Sequence, residues 1–85
     1  MAEVTIRYWA AAKEAAGLRE ESVEAETLQD ALDAVVAGRP DGRLRDVLSR
    51  SSFLLDATRV NRAAAGDIKL SDGSVLEILP PFAGG

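Results

Sequence analysis

Val4, Ile6 and Tyr8 alternate with Thr5, Arg7 and Trp9, and this period of two predicts an opening strand with one buried face. The Ala10-Ala11-Ala12-Lys13-Glu14-Ala15-Ala16 stretch that follows is built from the strongest helix former. Gly17 closes it at the place where a helix end favours a left-handed residue, so one or two helical turns are expected. From Leu18 to Glu26 the chain is rich in Glu, with Val23 as its clearest apolar member, which suits a solvated edge strand. Thr27 before Leu28-Gln29-Asp30 has the spacing of an N-cap with an acid in the first turn. Leu28, Ala31, Leu32, Val35 and Val36 then recur at intervals of three and four, predicting the main amphipathic helix, which Gly38 and Pro40 stop.

Leu44, Val47 and Leu48 suggest a second, shorter helix, and Phe53-Leu54-Leu55 a short apolar strand with a turn over Asp56 to Thr58. Between Val60 and Lys69 neither period holds, and the segment is expected to be loop. Ser71-Asp72-Gly73-Ser74 is a turn, and Val75 to Leu79 is an interior strand bounded by Pro80-Pro81. The order is strand, strand, helix, strand, turn, strand, and a six-residue tail.

Composition narrows the possible functions. With 85 residues, 47% hydrophobic and 28% charged, the chain has material for one core of Val, Leu, Ile and Ala; its aromatics are Tyr8, Trp9, Phe53 and Phe82 only. Fourteen acids against ten bases give a net charge of −4, and the bases are scattered, so nucleic acid is not an expected partner. No apolar run is long enough to span a bilayer and Met1-Ala2-Glu3 begins no leader pattern, so a cytoplasmic, membrane-free protein is expected. The chain has no Cys and no His, which removes thiolate chemistry, the commonest general base and the commonest metal ligand.

What chemistry remains points to the tail. Pro80-Pro81 removes two backbone donors, so strand pairing should end there and the chain should leave the domain extended. Phe82 to Gly85 would span roughly 13 to 14 Å when extended, enough to enter a partner's active site. Gly84 and Gly85 lack a Cβ and could pass a narrow channel.

The ending Pro80-Pro81-Phe82-Ala83-Gly84-Gly85 resembles that of the MoaD/ThiS sulfur-carrier family, closest to the MoaD small subunits of molybdopterin synthase. The resemblance extends through Tyr8-Trp9-Ala10, Lys13-Glu14, Gly17, the central helix and Leu70-Ser71-Asp72-Gly73-Ser74-Val75. The chain departs from the pattern at Asp56-Ala57-Thr58, where many relatives place an asparagine, and at the Ala63 to Ala65 loop. The resemblance implies an α+β fold, a ubiquitin-like β-grasp with a mixed sheet of four to five strands packed on one main helix. Residues 1–79 would form the domain and 80–85 a flexible tail.

The resemblance also implies that the Gly85 carboxylate is adenylated and converted to a thiocarboxylate, which donates sulfur to a molybdopterin precursor. The chain would not be an enzyme on its own and would bind no cofactor; ATP would be used by an activating partner. The implied partners are a MoaE-like large subunit, a MoeB-like adenylyltransferase and a sulfur-donor protein, with Pro80, Pro81, Phe82, Ala83 and Gly84 as the partner-binding tail. Carriers for thiamine or cysteine synthesis and ubiquitin-like modifiers share the glycine pair and stay as alternatives.

Other residues have plainer readings. Trp9 falls on the face opposite Val4, Ile6 and Tyr8, where it could form a docking patch or pack under the alanine segment. Phe82 is expected to touch a partner. Glu20, Glu21, Glu24 and Glu26 are expected as solvated edge charges, and Arg39, Arg59 and Arg62 as ordinary surface residues.

Overall fold

The structure, a computed structural model, describes residues 1–81. Strand β1, Ala2–Tyr8, buries Ala2, Val4, Ile6 and Tyr8 on one face, as the alternation requires. Helix α1, Ala10–Ala16, ends at Gly17, whose φ of 84° lets its N–H reach the Lys13 carbonyl at 3.0 Å. Strand β2, Glu20–Ala25, returns antiparallel to β1 with Val4 opposite Val23 and forms one edge of the sheet.

Helix α2, Leu28–Ala37, starts where Thr27 Oγ1 accepts the Asp30 N–H at 3.2 Å, and it buries Leu28, Ala31, Leu32 and Val35. Helix α3, Arg43–Leu48, buries Leu44, Val47 and Leu48. Strand β3, Ser52–Leu55, leads to β5, Val75–Leu79, and to a strand that the sequence reading missed: β4, Thr58–Val60, which pairs with β3 as a hairpin. Residues expected as loop after it wind into a 3-10 helix, Arg62–Asp67, opened by Asn61, whose side chain accepts the Ala63 N–H at 2.9 Å. Three residues with one apolar side chain give no readable period, and here the pairing Phe53↔Val60 specifies the strand.

The sheet order is β2-β1-β5-β3-β4. Strand β5 lies at its centre, parallel to β1 and antiparallel to β3, with Leu76 and Ile78 fully buried. The helices pack on that buried face, and α2 is the longest of them, giving the expected mixed α+β arrangement. Burying residues such as Ile6, Leu76 and Ile78 stabilises the fold by about 1.5–3 kcal/mol each. Among the described residues no helix is long and apolar enough to cross a membrane.

Two braces hold the sheet ends. At one end Asp56 (φ 49°) and Ala57 (φ 68°) make the β3–β4 turn, and the Asp56 carboxylate accepts the Val75 N–H at 2.9 Å and the Ser74 hydroxyl at 3.2 Å. That locks the turn to the start of β5. At the other end Arg39, expected as a surface residue, is instead largely buried. Its guanidinium donates to the Ala16 and Val35 carbonyls at 3.1 and 2.8 Å and to Glu21 at 2.8 Å, and lies over the Tyr8 ring. One cation therefore satisfies carbonyls at the ends of α1 and α2 and ties both helices to β1 and β2.

Candidate functional site

Every strand contributes its own terminus to the end of the sheet where β5 finishes. The register sets Tyr8 beside Ile78, Ser52 beside Leu79, and Val60 beside Phe53. The Trp9 N–H continues the ladder to the Ile78 carbonyl at 3.3 Å. Pro80 is buried at this end and Pro81 is exposed. Because neither proline has an N–H to give, the ladder cannot run on through them, and the chain is released from the sheet centre and not from an edge. The expected site residues Phe82, Ala83, Gly84 and Gly85 lie outside the described residues.

Trp9 stands next to this exit. Ala10, with φ at 49°, turns the chain sharply from β1 into α1 and leaves Trp9 outside the core. The residue is 47% exposed, so it does not pack beneath the alanine helix. Its Nε1 donates to Glu77 Oε2 at 3.1 Å across the open face of the sheet, which fixes the ring beside β5. On that open face the register lines up Glu20, Arg7, Glu77, Leu54 and Arg59 in one row across the five strands.

A cleft of about 690 Å³ flanks the exit on the β1–β2 side, lined by Trp9, Lys13, Glu14 and Arg19 with Arg7 and Glu20. A second, of about 500 Å³, flanks it on the β3–β4 side, lined by Ser51, Ser52, Arg59, Asn61 and Arg62. Sequence reading did not bring these cations together, because the pair Lys13 and Arg19 is far along the chain from the pair Arg59 and Arg62, and only the strand order sets both pairs at one end. Arg39 could have been found, since a cation just past a helix end is placed for the free carbonyls there.

The four edge glutamates do not converge. Glu20 pairs with Arg7 at 3.2 Å, Glu21 turns inward to Arg39 and Tyr8, and Glu26 pairs with Lys69 at 3.6 Å. Burial, and then the bond to Glu21, raise the Tyr8 phenol well above the ordinary tyrosine range, with Arg39 opposing. Tyr8 is thus held as a neutral hydrogen-bond donor to Glu21, beside the Ile78 end of β5.

Comparisons with known proteins agree with this fold. No curated protein sequence matches the chain. Among solved structures, the small archaeal modifier protein 1 of Methanosarcina acetivorans is 25% identical, with a TM-score of 0.84 over 100% of this chain and 98% of its own. The small archaeal modifier protein 1 of Haloferax volcanii is 26% identical, with a TM-score of 0.79 over 98% and 99%. Subunit 1 in the complex of subunits 1 and 2 of the molybdopterin-converting factor from Helicobacter pylori shares the fold, at 24% identity and a TM-score of 0.70 over 98% and 99%. The model of the ThiS family matches residues 6–85, from the middle of β1 through the Gly-Gly ending. The chain therefore belongs to the ThiS family, as a small ubiquitin-like β-grasp protein of the kind that includes the MoaD/ThiS sulfur carriers and the small archaeal modifiers.

Proposed function

We propose that the chain is a sulfur carrier whose Gly85 carboxylate is adenylated, converted to a thiocarboxylate and presented to a molybdopterin precursor, as part of molybdenum cofactor biosynthesis. The observation that carries this reading is that the family match runs through residue 85, so it includes the tail as well as the domain. The central position of β5 supports it, because a tail leaving from there has the whole domain as its handle.

The chemistry asks little of the chain itself. A carboxylate repels nucleophiles, whereas its mixed anhydride with AMP, formed from ATP with release of pyrophosphate, carries a good leaving group. Sulfur from a donor then attacks the Gly85 carbonyl carbon, the bond to the AMP oxygen breaks, and AMP departs. A chain without Cys or His leaves the base, the metal ion and the nucleotide to an adenylyltransferase of the MoeB kind. A large subunit of the MoaE kind would then receive the loaded tail. The complex of two converting-factor subunits from Helicobacter pylori supports such a pairing.

The test is intact mass after incubation with ATP, the adenylyltransferase and a sulfide source. A gain of about 16 Da, one oxygen replaced by sulfur, is expected. No gain with a competent enzyme would refute the reading.

A second reading is a ubiquitin-like modifier, favoured by the likeness to the two small archaeal modifier proteins at 25% and 26% identity. Here an amine of a target protein attacks the activated Gly85 carbonyl, AMP leaves and an amide forms. Covalent adducts in cell extracts that survive boiling in reductant, and vanish when Gly84 and Gly85 are deleted, would identify it.

A further inference from the structure

The molecule is electrically polarised along its strands. The two clefts at the exit contain the cations Arg7, Lys13, Arg19, Arg59 and Arg62, against the carboxylates Glu14 and Glu20. With Glu77, held by Trp9, the cleft residues come to five cations and three carboxylates, and Arg39 and Glu21 at the same end cancel each other. The set is therefore positive by two on a chain whose formal charge is −4, which leaves −6 on the remainder. The opposite end of the sheet gathers Glu3, Glu24, Glu26, Asp56 and Asp72, with Lys69 as a counter-charge.

Among the described residues, Lys13, Arg19, Arg59 and Arg62 have no carboxylate within ion-pairing distance, and all four are exposed. The pairs that do form engage Arg7, Arg39, Arg50 and Lys69. Arg59 has only a long bond to Ser52 Oγ at 3.4 Å, and Arg62 lies over the Phe53 ring. Their charge is thus available to a partner, two on each side of the point where β5 releases the tail.

We propose that these four residues form a basic collar that docks on a protein whose tail-receiving mouth is rimmed with carboxylates. The inference rests on the carrier reading for what the tail does. The collar sets how the domain is brought to the mouth. A chain that is acidic elsewhere turns its positive end first in the field of an acidic rim, so the collar selects the tail-first encounter and raises the association rate.

The experiment compares the wild-type chain with K13E/R19E and R59E/R62E, each checked for an unchanged thermal midpoint, against the adenylyltransferase. Association is followed through the emission of Trp9, the sole tryptophan, and sulfur loading by intact mass. Each double reversal should lower the association rate and raise the KM for loading about tenfold at low salt, with the saturating rate unchanged. The difference should shrink to within about twofold at 0.5 M salt, where screening acts over only a few ångströms. Unchanged association at every salt concentration, or faster association by the reversed variants, overturns the collar even if loading proceeds. Capture of a short oligonucleotide by the wild-type chain at physiological salt would assign the collar to nucleic acid and overturn the protein partner. If the wild-type chain never gains sulfur, the carrier reading fails, while the association measurement still decides the collar.

Discussion

Arg39 reaches back from just beyond α2 to donate to Glu21 at 2.8 Å, and the same guanidinium covers the ring of Tyr8, whose hydroxyl bonds to that carboxylate. Removing the cation strands a part-buried carboxylate and two helix-end carbonyls together. Arg39→Ala is expected to destabilise the fold by about 2–4 kcal/mol, seen as a lower urea midpoint with an unchanged slope. Arg39→Lys should recover only part of this, since a single ammonium cannot reach the same three acceptors in plane.

The sole tyrosine gives a pH prediction. Its proton is held more tightly in the folded protein than in the unfolded chain, where the phenol titrates near pH ~10. A raised folded value means that the stabilisation is complete below that pH and is lost as the pH climbs above it. Absorbance of tyrosinate at ~295 nm should therefore stay flat through the ordinary tyrosine range. It should rise only together with loss of the far-ultraviolet helix signal.

Ala57 occupies a left-handed position in the β3–β4 turn, where a Cβ is strained. Ala57→Gly is expected to stabilise the protein by roughly 1 kcal/mol. Asp56→Ala should do the reverse, by about 1–3 kcal/mol, because it strips an acceptor from both Val75 and the buried Ser74 hydroxyl. Equilibrium unfolding of the two variants checks both signs.

Deleting Gly84 and Gly85 should leave the thermal midpoint within about 1 °C and abolish the sulfur gain completely, since neither residue has a side chain to bury. Trp9→Ala should likewise cost less than about 1 kcal/mol, because about half of the residue is already in water. If the open face seats the partner, the same change should weaken docking. Calorimetry and the loading assay separate the two effects.

The elements with a clear period were legible. The alternation from Val4 to Tyr8, the Thr27 cap, the i, i+3, i+4 row of α2 and the central β5 all stand where the residues put them. Strand β4 and the 3-10 helix were not, since three paired residues and an alanine run acquire their conformation from neighbours. Of the site, the end of strand pairing at Pro80-Pro81 could be read directly, whereas for Trp9 the alternation showed its face and left docking and packing both open. The collar could not, because only the strand order brings its two pairs of cations to one end; of the Arg39 clamp the reach to the α2 carbonyl was legible, and the bonds to Ala16 and Glu21 were not.

The position of β5 has a mechanical consequence. A partner that draws on the tail applies its load at Leu79, along the axis of a strand bonded on both sides. The ladders to β1 and β3 then carry that load in shear, with several bonds strained at once and none peeled in turn. A strand at the sheet edge would have one ladder to resist with. The domain is thus an anchor for its own terminus, held through two ladders where an edge strand would offer one.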